Sequence, residues 1–229
     1  MKKNILIALG FVLSIFVTQA QNCSTYYPME EGVTFQYTSY NKKGKQETVA
    51  DYKVTQVNTE GTSTNATMQI SLKDKKDKEI YASEYRFSCD NNTVTIDYQS
   101  LIPSSMFQQY EGMDMEVSGT DIELPNQLSV GQELTDANVA IKVKMSGINM
   151  NMAVDMINRK VEKKEQVTTP AGTYECLVIY SDNRTKTLGI NKTYPSRTWI
   201  AEGVGMVKQE TYNKKGKIIG STMLSSFGK

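Results

Sequence analysis

Val139-Ala140-Ile141-Lys142-Val143-Lys144-Met145-Ser146-Gly147-Ile148-Asn149-Met150-Asn151-Met152-Ala153-Val154-Asp155-Met156 is the stretch that decides the fold. Apolar residues occupy every second position on both sides of Ser146-Gly147. A period of two marks strands with one face turned to a core. A two-residue turn at Ser146-Gly147 sets Met145 opposite Ile148, Val143 opposite Met150 and Ile141 opposite Met152. Directly opposed residues share a face, so this register gathers Val139, Ile141, Val143, Met145, Ile148, Met150, Met152, Val154 and Met156 on one surface. A slip of one residue would scatter them.

The same alternation runs outward from this hairpin. Val33, Phe35 and Tyr37 share one face of a strand that ends at the turn Asn41-Lys42-Lys43-Gly44. Asn suits the first position of such a turn and Gly the positive φ that closes it. Return strands are expected over residues 47–57, 64–72, 79–89 and 93–97. A short helical or irregular cap is expected near residues 99–110, where Leu101, Ile102, Met106, Phe107 and Tyr110 break the pattern around Pro103. Strands follow near 112–118 and 121–124, then a connection over 125–138 with a turn at Ser129-Val130-Gly131-Gln132. Three long strands lie near 172–185, 192–201 and 205–212, and 217–225 closes the chain. The turn Asn213-Lys214-Lys215-Gly216-Lys217 repeats Asn41 to Lys45, each copy after a Tyr. The basic pairs Lys42-Lys43, Lys163-Lys164 and Lys214-Lys215 read as solvated hairpin tips or lie beside acidic residues. With no Pro-, Gly- or Ser-rich linker, residues 21–229 read as a single antiparallel β domain. It is a mainly β fold, one large antiparallel sheet.

The first 20 residues read as a signal peptide. Lys2-Lys3 precede an apolar run from Ile5 to Val17, about 13 residues where a membrane-spanning helix needs about 20. Thr18-Gln19-Ala20 offers small side chains for cleavage. The mature chain is then 229 − 20 = 209 residues long, exported to the periplasm or beyond the cell, and not membrane-spanning. Asn22, directly before Cys23, does not suit lipid attachment. Removing Lys2 and Lys3 leaves 24 basic against 25 acidic residues, a balance that gives no electrostatic case for a nucleic-acid partner. There is no histidine, which removes histidine-based triads, proton shuttles and metal ligands. No other catalytic or cofactor motif appears, so a non-enzyme without cofactor or metal is expected. Of the three cysteines, Cys23 and Cys89 are the expected disulfide, tying the N-terminus to a strand end beside Asp90-Asn91-Asn92. Cys176 reads as a small buried hydrophobe.

Four further segments carry a family resemblance: Tyr27-Pro28 with Gly32; Leu128-Ser129-Val130-Gly131-Gln132; Thr169-Pro170-Ala171-Gly172-Thr173-Tyr174-Glu175-Cys176; and Trp199 to Lys208. In this order and spacing the chain resembles a TapB-like family of exported bacterial proteins catalogued as a domain of unknown function. The resemblance implies that this sheet is strongly curved into a half-barrel or open barrel, similar in outline to the half-barrel of lipoprotein carriers. It implies no catalytic residue.

Seven of the 12 methionines fall between Met106 and Met156. Methionine is flexible and polarisable, and it adapts to varied apolar ligands as readily as it fills a core. The ligand-face candidates are Val143, Met145, Met150, Met152 and Met156. The expected function is binding or carrying an apolar molecule, a lipid or acyl chain, in the hollow of the sheet. The alternative is a structural or assembly module that docks another envelope protein.

Overall fold

The computed structural model describes residues 23–98, 114–145, 148–187 and 190–229. The leader, the cap expected near 99–110 and the turn residues Ser146-Gly147 lie outside them. The strands are β1 (Thr34–Asn41), β2 (Gln46–Glu60), β3 (Ser63–Asp74), β4 (Glu79–Asp90), β5 (Thr93–Ile96), β6 (Asp114–Thr120) and β7 (Ile122–Pro125). They continue with β8 (Ala137–Met145), β9 (Ile148–Thr169), β10 (Gly172–Thr187), β11 (Ile190–Ala201), β12 (Gly205–Tyr212) and β13 (Ile218–Gly228). All belong to one antiparallel sheet of 13 strands in the order β6-β8-β9-β10-β11-β12-β13-β1-β2-β3-β4-β5-β7.

One feature of that order closes the sheet. β6 and β7 are separated only by Asp121, yet they are its two ends. The ends must therefore lie side by side, and the sheet curls into a nearly closed barrel with one seam. The expected curved antiparallel sheet is present, and it is more closed than a half-barrel.

Local chemistry explains the hairpins. At Asn41, Asp74 and Asn213 the side-chain Oδ1 accepts from the backbone N–H groups two and four residues on. In each turn the fourth residue takes positive φ: Gly44 at 69°, Asp77 at 62° and Gly216 at 72°. The turn at Asp74 has the same geometry with a different sequence. Turn chemistry alone therefore accounts for the repeated Asn-Lys-Lys-Gly-Lys.

The central hairpin has the expected register. Met145 pairs with Ile148, Val143 with Met150, Ile141 with Met152 and Val139 with Val154. Beyond Met156, however, β9 continues to Thr169 as a 22-residue strand. The sequence hides this because the period slips: Asn158, at φ 55°, and Arg159 form a bulge opposite Ser181. Lys163-Lys164 is consequently no hairpin tip. Both residues pair within the sheet, with Val178 and Leu177, and Lys163 Nζ lies 2.7 Å from Glu165.

The main core gathers alternate residues from most strands, among them Phe35, Tyr37, Val54, Met68, Phe87, Val94, Val161, Val207 and Leu224. The N-terminal segment inserts into it. Cys23 is bonded to Cys89, Tyr26, Pro28 and Met29 are buried, and the Tyr27 ring packs 6.4 Å from that of Phe87. A Cβ at Gly205 would come within 2.6 Å of the Tyr27 ring, which fixes glycine there. Asn126 holds the segment from the far side, accepting from Thr25 N at 2.9 Å and donating to the Cys23 carbonyl.

Candidate functional site

The ligand-face candidates sit on a second, separate apolar cluster. Val139, Ile141 and Val143 are buried in it, with Val143 fully so. Tyr98, Val117, Met150, Met152 and Val154 pack against them and are only partly buried. Cross-strand pairing explains the shared face: Val117 opposes Ile141, which opposes Met152. Full burial of a valine side chain contributes about 1.5–3 kcal/mol, so β8 is the anchored flank of the site.

The methionines form its open flank. On the β10 side, Val154 pairs with Thr185 and Met156 with Asn183, so the apolar strip meets a polar one. Asn183 is held in place by the buried Ser181 and Ser196, accepting from Ser181 Oγ at 2.7 Å and donating to Ser196 Oγ at 3.1 Å. Met150, Met152, Val154 and Met156 thus stand at a boundary, half-buried. The other face of β9 carries the polar groups Asn151, which is exposed, and Asp155, 2.9 Å from Lys186 Nζ, alternating with Ala153 and Ile157. The pairing brings Val143, Met150 and Met152 together. Met156 shares their face but lies outside the cluster. Met145 keeps its register position, and its side chain is not among those described.

Cys176 is fully buried, and burial pushes its thiol up to about 11, with Glu175 and Glu165 adding to the effect. A thiol kept neutral is a poor nucleophile. Among the described residues, no group of three or more His, Cys, Asp or Glu is placed to hold a metal ion.

Two groupings escape sequence reasoning. The first is an aromatic and ionic ladder on one face of β9 to β12. Arg197 forks onto Glu162 at 2.6 and 3.0 Å, with the rings of Tyr180 and Tyr212 5.5 and 5.2 Å away. Trp199 Nε1 donates to Glu165 at 2.6 Å, and Lys208 stands 4.6 Å over the indole. Its members are far apart in sequence, and only strand pairing joins them. The second is Arg159, buried at the seam. It donates to the carbonyls of Thr135 and Glu123, linking β9 to β7. Asn158 is its one sequence signal, a residue type that tolerates positive φ at the point where the alternation slips.

A structure from Bacteroides fragilis, of a protein assigned as exported and with a YmcC-like fold, superposes with a TM-score of 0.73 at 18% identity. The match covers 90% of this chain and 100% of that one. A structure from Parabacteroides distasonis, of a protein assigned as a lipoprotein, gives 0.72 at 19% identity over 91% and 100%. At these identities the likeness establishes the fold alone. No curated protein matches the sequence. The model of the DUF3108-like family, a domain of unknown function, matches residues 30–224, and the chain belongs to that family.

Proposed function

We propose that this is an exported, non-catalytic envelope protein that binds an apolar chain, of the lipid or acyl class, along the methionine strip of β9. The observation that carries the reading is the boundary itself. Val139, Ile141 and Val143 are packed, while Met150, Met152 and Val154 beside them keep accessible apolar surface. Covering such surface releases about 25 cal/mol per Å². From Met150 to Met156 the strip runs six residues, about 20 Å at a strand's rise. One acyl chain spans about half of a 30 Å hydrocarbon core, which is commensurate. Signal-like residues 1–20 support export, as does the assignment of the two structural neighbours as exported or lipoprotein. The TapB-like kinship drawn from the four motifs, with its likeness to lipoprotein carriers, points the same way.

Native mass spectrometry of residues 21–229 with added palmitate or hexadecanol tests this. A one-to-one complex is expected, weakened at least tenfold by Met152→Glu, which puts a carboxylate on the strip. Absence of any complex with either chain would contradict the reading.

A further inference from the structure

On the face of β9 that carries the methionines, the first charged side chain past Met156 is that of Arg159. Met156 pairs with Asn183 and Val161 with Ile179, two positions of equal parity on β10. The bulge at Asn158 and Arg159 absorbs the extra residue between them. Arg159 therefore falls on the same face as Met150, Met152, Val154 and Met156. It lies three residues past Met156, about 10 Å along the strand.

Arg159 is 6% exposed. A guanidinium carries five N–H donors, and the carbonyls of Thr135 and Glu123 take one from each terminal nitrogen. Neither acceptor carries charge. Among the described residues no carboxylate lies within the 4.0 Å of an ion pair with Arg159, although Asp136 and Glu123 act on it from farther off. Burial pushes its pKa down, the direction expected of a cation whose surroundings compensate it incompletely. Buried charges are ordinarily paired, because removing one from water is costly. A carboxylate is the planar two-oxygen group that a guanidinium fork accepts best.

We propose that Arg159 receives the carboxylate of a long-chain fatty acid whose tail lies along Met156 and Val154 toward Met152. This rests on the acyl-chain reading above and adds the head group to it. The polar end then sits at the seam, beside Tyr27 and the carbonyls of Thr135 and Glu123. The apolar end points toward the β8–β9 turn.

The test compares palmitate with hexadecanol, which has the same chain length and no charge, on residues 21–229 and on Arg159→Gln. For the native protein palmitate is expected to bind at least tenfold more tightly, about 1.4 kcal/mol, since the guanidinium adds a charge-assisted hydrogen bond that the alcohol lacks. Arg159→Gln should erase that preference, lowering palmitate binding to the level of hexadecanol. If the two ligands bind the native protein equally, or the preference survives Arg159→Gln, the assignment of Arg159 falls while the acyl-chain reading stands. If neither ligand binds, both fall. Should Arg159→Gln fail to fold, the comparison on the native protein decides alone.

Discussion

At the scale of single residues, backbone conformation and desolvation make the sharpest claims. Asp77 does in its turn what Gly44 and Gly216 do in theirs, at φ 62°. A side chain in that region carries a strain that glycine lacks. Asp77→Gly should therefore stabilise the protein by about 0.5–1 kcal/mol, read as a higher midpoint in urea. A lower midpoint would mean that the contact of Asp77 with Lys73, at 3.9 Å, outweighs the strain. Cys176 makes the second claim. Its folded thiol titrates about 11 against 9.0 unperturbed, so the unfolded chain loses that proton first as pH rises. The stabilisation from keeping it neutral is complete below pH 9 and is lost between there and about 11. Iodoacetamide at pH 8.5 should leave Cys176 unmodified in the native protein and alkylate it in urea. Equal rates in both states would contradict its burial.

At the scale of elements, the β8–β9 hairpin shows what alternation alone can deliver. Its register follows from nine apolar positions and is the register observed. The second half of β9 was not legible. A bulge shifts the period by one residue, so Arg159 and Val161 no longer line up with Met156 in a count by twos. The ladder of Arg197, Glu162, Trp199 and Lys208 was hidden for a different reason, because it depends on which strands become neighbours. The N-terminal segment depends on a covalent tie. Cys23 and Cys89 are 66 residues apart, and closing a loop of that size restricts the unfolded chain. Replacing both by Ala should cost about 2–4 kcal/mol, with the methionine cluster on β8 and β9 unperturbed. Differential hydrogen exchange would check this. Loosening concentrated at residues 23–33 and the β4–β5 turn is expected, and equal loosening along β8 would contradict it.

At the scale of the whole molecule, one topological fact organises the rest. The two ends of the sheet are consecutive in the chain, and Arg159 bridges from β9 to β7 across the place where they meet. A single antiparallel sheet could be read from the strand periods, and its curvature from the family resemblance. Its near-closure could not, because β6 pairs with β8 and β7 with β5, partners chosen by the curl of the sheet rather than by local pattern. The candidate site was half legible for the same reason. The apolar strip is local to one hairpin, whereas the charge at its end enters through the bulge and the seam. The measurement that bears most directly on the strip as a binding surface is a methyl NMR titration of methionine-labelled protein with palmitate. The signals of Met150, Met152 and Met156 should shift together and saturate, while that of Met68, buried in the main core, stays in place. Unchanged signals from β9, or shifts confined to Met68, would contradict the account.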